Sequence, residues 1–198
     1  MGSLQRHNVQ SIRQEFGLSY FVETGTYLGD SVAYALGCGF DKIYSMEVME
    51  NLHQKCIDRF TNNDNVFIVL GDTSKDLPLI LTHIPQDTPT LFWLDAHFPG
   101  AHGGFLPLAH TKEEKTRIPL QTELETIKQH KEVNNDYFII DDLRIYEDGP
   151  YEQGNWEDRS LLGGQGIEFL QEFFSDTHTI NKDFRDQGYL LGIPNAHK

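Results

Sequence analysis

The segment YFVETGTYLGDS, residues 20–31, contains the pattern that decides the fold. Its apolar start predicts a buried strand, and a turn with Gly25 and Gly29 follows that strand. A helix is predicted to start near Asp30, so that backbone N–H groups and a helix N-terminus meet at the turn. A turn of this kind favours a polar or anionic ligand.

The succession of strand and helix seen in this segment repeats along the chain. Further strands are predicted at residues 42–48, 65–72, 90–97, 137–142, 179–184 and 189–193, and helices at 7–16, 31–36, 51–60, 77–84, 120–131 and 166–174. Because most of these strands are apolar throughout, they indicate a sheet covered by helices on both faces. The expected fold is α/β, with a Rossmann-like, seven-stranded, mostly parallel sheet and an antiparallel terminal strand.

Length and composition limit the classes of protein that the chain can belong to. The 198 residues fit one domain, with residues 1–19 as an N-terminal helical extension. No apolar run approaches the roughly 20 residues of a membrane span, and a net charge of −14 would repel a phosphate backbone. We therefore expect neither a membrane nor a nucleic acid as a partner. The chain does not open with a secretory signal pattern, and its two cysteines form no CxxC motif, so the expected location is cytoplasmic.

Two long segments, residues 98–117 and 143–164, interrupt the succession of strands and helices. Each follows the carboxyl end of a predicted strand, which is the edge where open α/β sheets bind ligands. We therefore predict that both segments are substrate loops. Their aromatic residues, including Tyr146 and Trp156, suit the apolar face of a sugar ring or a flat phenolic ring.

Acidic residues follow the second and third predicted strands. Glu47 lies eighteen residues after Gly29, about where nucleotide-binding folds place an acid that accepts hydrogen bonds from ribose hydroxyls. Asp72 and Ser74 follow the third strand and could receive an adenine amino group. The first turn lacks the GxGxxG pattern of dinucleotide-binding dehydrogenases, so an NAD-dependent oxidoreductase is disfavoured.

Taken together, these strand-end motifs resemble those of the class I S-adenosylmethionine-dependent methyltransferases over about residues 20–142. The resemblance implies that residues 1–198 form a single methyltransferase domain. It also implies that the glycine turn borders the methionine part of the cofactor, where Glu23 could attract the ammonium group, and that Glu47 holds the ribose. The cofactor contacts expected on this basis are Glu23, Thr24, Gly25, Thr26, Gly29, Ser31, Glu47, Val48, Asp72, Thr73, Ser74 and Asp95.

Three further acids end the fourth and fifth strands, Asp95 in WLDAH and the pair Asp141 and Asp142 in FIIDDL. Neighbouring like charges are costly without compensation, no basic partner is evident nearby in the sequence, and oxygen ligands suit a hard divalent cation. The layout is similar to that of metal-dependent small-molecule O-methyltransferases, including those acting on sugars. In these enzymes acids at the same two strand ends chelate one divalent ion that orients the acceptor hydroxyl. We therefore expect these three acids to bind Mg²⁺ or Mn²⁺.

The predicted catalytic residues are His97 and Asp95. A neutral imidazole with a pKa near 6.5 is suited to taking a proton from an acceptor hydroxyl, and His102 is the reserve candidate. In the sugar-modifying relatives this histidine can lie one residue further along. The predicted substrate contacts are His102, Tyr146 and Trp156.

The function expected from these features is metal-assisted methylation of a hydroxyl on a sugar or glycan. A catechol-like or other small hydroxylated acceptor remains an alternative, as does a binding module that keeps the nucleotide pocket without chemistry. The sequence predicts no oligomeric state.

Overall fold

The structure is a computed structural model that describes residues 3–97, 117–157 and 166–195. Seven strands in these ranges form one sheet with the order β3-β2-β1-β4-β5-β7-β6. The strands are β1 Tyr20–Thr24, β2 Lys42–Glu47, β3 Val66–Leu70, β4 Thr90–Leu94, β5 Tyr137–Ile140, β6 His178–Asp183 and β7 Tyr189–Pro194.

Seven α-helices are described, and we number them in chain order. They are α1 Val9–Phe16, α2 Asp30–Gly37, α3 Glu50–Arg59, α4 Thr73–Asp76, α5 Pro78–Leu81, α6 Leu120–His130 and α7 Glu168–Phe174. Two 3-10 turns, Leu4–Arg6 and Leu143–Ile145, complete the described elements.

The sheet is parallel except at β7, which runs antiparallel to both of its neighbours, β5 and β6. This confirms the predicted fold class, the seven strands and the antiparallel strand at the end of the chain. Strand β1 lies between β2 and β4, with Thr24 opposite Met46 on one side and Leu94 on the other. The carboxyl ends of β1 to β5 therefore lie along one edge of the sheet.

Each face of the sheet carries its own hydrophobic core. One core joins the sheet to α5, α6 and α7, and the other joins it to α1, α2 and α3. The central strands contribute to both cores because their alternate side chains point to opposite faces. This burial on both sides explains why the strands are apolar throughout.

The structure corrects the predicted helix at residues 77–84. The helix found there, α5, spans only Pro78–Leu81, and a second short helix, α4, precedes it at Thr73–Asp76. A proline is favourable at the first helical position because its missing N–H would have no partner there, and its fixed φ begins a new helix. Several predicted strands also end earlier than expected, so that Glu47 is the last residue of β2, whereas Asp95 and Asp141 lie just beyond β4 and β5.

The N-terminal segment is integrated into the domain rather than appended to it. Leu4 and Val9 are buried in the core on the α2 face. The Ser3 N–H donates to the Tyr189 hydroxyl at 2.9 Å, and Arg6 forms an ion pair with Asp186 at 3.0 Å. The segment therefore closes against the turn between β6 and β7. Among the described residues, no helix is long and apolar enough to cross a membrane.

Candidate active site

The turn after β1 brings the chain close to the end of β4. Gly25 has a φ of +86°, and a Cβ at this position would lie 2.7 Å from the carbonyl oxygen of Asp95. Gly29 has a φ of +79°, and a Cβ there would lie 2.8 Å from the Phe60 ring. Both positions therefore require glycine, because a side chain would be strained and would have no space.

Glu23 is buried beneath this turn. Its two carboxyl oxygens accept hydrogen bonds from the hydroxyls of Ser31 and Ser45, and the latter bond is 2.5 Å long. Burial raises the pKa of Glu23 to about 8. The hydrogen bonds from Ser31 and Ser45 oppose this rise but do not cancel it. The Thr26 hydroxyl extends the network, 2.6 Å from that of Ser45. Glu23 thus joins β1, α2 and β2 underneath the predicted cofactor turn.

Glu47 occupies the position predicted for the ribose contact. One of its oxygens accepts the backbone N–H of Tyr27 at 2.7 Å, and the other accepts that of Met49 at 2.8 Å. Burial raises the pKa of Glu47, and the backbone hydrogen bonds oppose this effect. Each carboxylate oxygen keeps a second lone pair for another donor. Val48, the next predicted contact, is half-buried.

Asp72 both caps a helix and forms part of the predicted adenine site. Its Oδ1 accepts the Ser74 N–H at 3.0 Å and the Ser74 hydroxyl at 2.7 Å, so it starts helix α4. The Lys75 ammonium lies 3.4 Å from its other oxygen. Thr73, between Asp72 and Ser74, is buried.

The acids predicted to bind metal lie together beyond β4 and β5. Burial and the charges of neighbouring carboxyls raise the pKa of Asp95, and they raise that of Asp141 to about 7. Apart from Asp95, the two Asp141 side-chain oxygens have no hydrogen-bond partner in the described ranges. Asp142 has a φ of +54°, which is uncommon for a residue other than glycine and marks a constrained position.

Asp142 has basic partners that the sequence argument did not identify. The nearest distances from its carboxylate are 3.5 Å to His97 Nε2 and 3.8 Å to Arg144 Nε. The Arg144 guanidinium also lies over the Trp156 ring, 5.4 Å from its centroid. The expectation that the three acids lack a nearby basic partner is therefore wrong for Asp142.

His97, the predicted base, lies next to these acids. Burial lowers the pKa of His97, but the hydrogen bond with Asp142 and the charges of Asp142, Asp141 and Glu123 outweigh this effect and raise it. In the metal-free chain the imidazole therefore favours its protonated form more than a free histidine does. A cation held by the same carboxylates would oppose this shift.

The acids beyond β4 and β5 have the donor chemistry of a divalent-cation site but do not form a preformed one. Across the three described ranges, no three His, Cys, Asp or Glu side chains form a ready metal-binding group. The chemistry of the donors nevertheless fits, because carboxylate oxygens suit Mg²⁺ or Mn²⁺ and the Asp141 oxygens are buried without a hydrogen-bond donor other than Asp95. A cation would also relieve the repulsion between Asp95 and Asp141.

Sequence analysis missed a further acid at this edge, the buried Glu123 of α6. The Glu123 side chain is 1% exposed. Burial raises its pKa to about 7, and interactions with the hydroxyls of Thr73 and Thr24 partly oppose this rise. The signal lay in the helical spacing, because Glu123 shares the buried stripe of α6 with three apolar residues, Leu120, Leu124 and Ile127. An acid within such a stripe points towards the core and not towards solvent.

The predicted substrate contacts differ in their surroundings. Tyr146 is 4% exposed, and its ring packs edge-on against Phe169 with the centroids 5.5 Å apart. Burial and the charges of Glu123 and Asp142 raise the pKa of its hydroxyl. Trp156 is half-buried, and His102 lies outside the described residues.

A groove of about 410 Å³ lies at the opposite end of the sheet, lined by residues that include Lys128, Lys131, Val133 and Phe173. Both polar and apolar side chains line it, and it is separated from the described members of the predicted site by the length of the strands. We attach no part of the predicted site to it.

No family model and no curated protein matches the sequence, but its fold is similar to solved structures. An O-methyltransferase from Bacillus cereus in complex with SAH is 14% identical, with a TM-score of 0.62 over 98% of this chain and 82% of that one. The O-methyltransferase TomG from Streptomyces achromogenes, in complex with SAM, is 12% identical, with a TM-score of 0.59 over 98% and 81%. An rRNA methylase from Streptococcus thermophilus is 14% identical, with a TM-score of 0.53 over 96% of each chain.

These similarities, together with the strand order, define the class of fold. The chain has the Rossmann-like fold of S-adenosylmethionine-dependent methyltransferases, in agreement with the resemblance of its strand-end motifs. At identities of 12–14% the similarity extends to the fold and does not assign a reaction.

Proposed function

We propose that this protein transfers a methyl group from S-adenosylmethionine to a hydroxyl of a sugar or glycan, with the assistance of a divalent cation. The observation that carries the proposal is the group formed by Asp95, Asp141, Asp142 and His97 next to the glycine turn. Three carboxyls, a histidine and a glycine turn thus lie together at the edge where this class of fold binds its cofactor.

The cofactor would lie along the carboxyl ends of three neighbouring strands. Gly25 admits the methionine part close to the backbone, Glu47 accepts hydrogen bonds from the ribose hydroxyls, and Asp72 with Ser74 meets the adenine. Glu23 supports the turn from below, where its carboxyl is already occupied by serine hydroxyls. Glu23 would therefore act on the ammonium group of the cofactor indirectly, by holding the turn in place.

The residues that would hold the cation are Asp95, Asp141 and Asp142. When bound, a divalent cation lowers the pKa of a hydroxyl that it contacts and fixes the direction of its approach. His97 accepts the proton of the acceptor hydroxyl while the oxygen attacks the sulfonium methyl group. The carbon–sulfur bond breaks, and S-adenosylhomocysteine and the methyl ether are the products.

The acceptor is proposed to be small and hydroxylated. The half-buried Trp156 offers aromatic surface to a sugar ring, and the same surface would suit a catechol-like acceptor. The net charge of −14 favours a neutral acceptor over a polyanionic one such as RNA, although one structure of similar fold is an rRNA methylase. We propose that the reaction takes place in the cytoplasm.

The first experiment separates the classes of cofactor. Calorimetric titration should show binding of S-adenosylhomocysteine and S-adenosylmethionine but not of NAD. Absence of binding by both adenosyl ligands would overturn the proposal. Binding without turnover on any acceptor would favour the alternative of a non-catalytic module.

The second experiment tests the cation without requiring an acceptor. Titration of Mn²⁺ followed by electron paramagnetic resonance should show one bound ion per chain, and Asp141→Asn should weaken this binding by at least about tenfold because a charged ligand is lost. Equal binding by the variant and the wild type would remove these acids from the role of ligands.

The third experiment identifies the acceptor. Production of S-adenosylhomocysteine is measured across matched panels of monosaccharides, glycans, catechols and RNA fragments, with and without EDTA. Turnover confined to sugars and abolished by EDTA is the expected result. Turnover confined to catechols or RNA would replace the proposed acceptor, and full activity in excess EDTA would recast the acids as hydrogen-bonding residues.

A further inference from the structure

Arg144 places a positive charge beside a carboxylate that the proposed function assigns to a cation. Its Nε lies 3.8 Å from Oδ1 of Asp142, and its side chain is only 11% exposed. A guanidinium does not lose its proton in proteins, so it stays charged next to the proposed ligand. Because an arginine here competes with a bound cation, its presence has to be explained by the other groups that it contacts.

Those groups belong to the segment predicted to contact the acceptor. The Arg144 Nη1 donates to the carbonyl oxygens of Gln153 at 3.2 Å and of Gly154 at 3.4 Å. The guanidinium carbon lies 5.4 Å from the centroid of the Trp156 ring, within the range of a cation–π contact. One side chain thus connects Asp142, just after β5, with residues 153–156.

The backbone at both ends of this connection is held by the turn between β6 and β7. The Arg144 N–H donates to the carbonyl oxygen of Gln187 at 3.2 Å, and the Gln153 N–H donates to that of Asp186 at 3.0 Å. Trp156 lies three residues beyond the second of these bonds. The guanidinium therefore extends the attachment from the fixed backbone to the Trp156 ring.

We infer that Arg144 is a positioning residue that holds Trp156 beside Asp142 and so links the acceptor surface to occupancy of the cation site. The inference rests on the proposed function, because it takes Asp142 to be a cation ligand and Trp156 to face the acceptor. A cation on Asp142 neutralises the carboxylate that attracts Arg144 and repels the guanidinium. The bonds to the two carbonyl oxygens remain, so cation binding should shift the guanidinium against the Trp156 ring. Since such coupling is reciprocal, Arg144 should also weaken cation binding.

The first measurement requires neither a cation nor an acceptor. The chain has two tryptophans, and the fluorescence of Trp156 is obtained by subtracting that of a matched Trp156→Phe protein, which leaves the buried Trp93. In EDTA, Arg144→Leu should raise the acrylamide quenching constant of Trp156 at least about twofold, because the guanidinium no longer covers the ring. Arg144→Lys keeps the charge without the planar fork, so it should give an intermediate constant.

The second measurement follows the same Trp156 fluorescence during titration with Mg²⁺, and electron paramagnetic resonance gives the dissociation constant for Mn²⁺. In the wild type, Mg²⁺ should change the Trp156 signal in a saturable manner. Arg144→Leu should bind Mn²⁺ at least about threefold more tightly, because a repelling charge is gone, and its Trp156 signal should not respond to Mg²⁺. A purely structural role for Arg144 would instead weaken Mn²⁺ binding in the variant.

The matched control is Arg13→Leu. Arg13 of α1 also lies over an aromatic ring, 5.7 Å from the centroid of Phe40, and Phe40 precedes β2 at the opposite end of the sheet. This variant loses the same charge and the same type of contact, and it should leave the Trp156 quenching constant and the Mn²⁺ dissociation constant unchanged. If Arg144→Leu fails to fold, Arg144→Gln replaces it with the same expected results.

An unchanged quenching constant for Trp156 in the uncharged Arg144 variant would overturn the inference, since the guanidinium would then not hold the ring. Wild-type protein that binds Mn²⁺ while Mg²⁺ leaves Trp156 unaffected would refute the link and leave the proposed function standing. Weaker Mn²⁺ binding by the variant would do the same. Absence of Mn²⁺ binding by the wild type would overturn both the link and the cation assistance in the proposed function.

Discussion

Replacement of Glu23 by glutamine should remove a large part of the pH dependence of stability. The pKa of Glu23 is about 8 in the folded chain, against 4.5 for an unperturbed glutamate, because the side chain is fully buried. Between these two values the folded state holds the proton more tightly than the unfolded state. The stability that this carboxyl contributes is therefore complete below pH 4.5 and is lost as the pH rises through 8.

The size of the effect follows from the shift in pKa. One unit corresponds to about 1.4 kcal/mol, so raising the pH from about 5 to about 8.5 should lower the wild-type free energy of unfolding by about 4 kcal/mol through this group. Glutamine does not ionise, and it can still bond to the hydroxyls of Ser31 and Ser45. The variant should therefore lack this component of the pH dependence.

Urea unfolding at the two pH values, followed by the fluorescence of the buried Trp93, measures the difference. The quantity of interest is the change in unfolding free energy between the two pH values in the variant, minus the same change in the wild type. Glu125→Gln, at an exposed position, is the control and should match the wild type. If Glu23→Gln loses as much stability as the wild type over this range, the buried carboxyl does not carry the assigned pKa.

Three further outcomes are expected. Glu47→Ala should weaken S-adenosylhomocysteine binding in calorimetry by about 1–3 kcal/mol through loss of charge-assisted hydrogen bonds, and unchanged affinity would contradict the ribose assignment. His97→Ala should lower kcat on an identified acceptor by about 10²–10⁴-fold with little change in cofactor affinity, whereas a wild-type rate would move the base role elsewhere. Gly25→Ala should lower the unfolding free energy in urea by about 1–3 kcal/mol, because its Cβ would meet the Asp95 carbonyl at a positive φ; a variant as stable as the wild type would show that the turn tolerates a side chain.

The sheet could be predicted because its strands are buried on both faces. Their uninterrupted apolar runs and the amphipathic helices between them leave few other arrangements of the chain. The short helix α4 was missed because its four residues, Thr73–Asp76, include no apolar residue, whereas the apolar run from Leu77 together with Pro78 indicated the start of α5. Strand ends were placed too late where polar residues just past the strand, such as Asp95, were counted as part of it.

The candidate site was only partly accessible to sequence reasoning. Acids at strand ends could be located because parallel strands deliver their carboxyl ends to one edge. The ion pair between Asp142 and Arg144 was missed because it depends on the 3-10 turn that follows Asp142, and the sequence analysis predicted only a loop there. Glu123 was missed because an acid in a helix is usually exposed, and only the register of α6 reveals that this one is buried.

The contact between the first residues of the chain and the β6–β7 turn bears on how the protein folds during its synthesis. Ser3 and Arg6 find their partners in Tyr189 and Asp186, which are separated from them in sequence by 186 and 180 residues. The ribosome therefore makes these partners at least 180 residues after Ser3 and Arg6. The segment that contains Ser3 and Arg6 can dock against the β6–β7 turn only after that turn has been made, and until then its apolar residues remain available to chaperones.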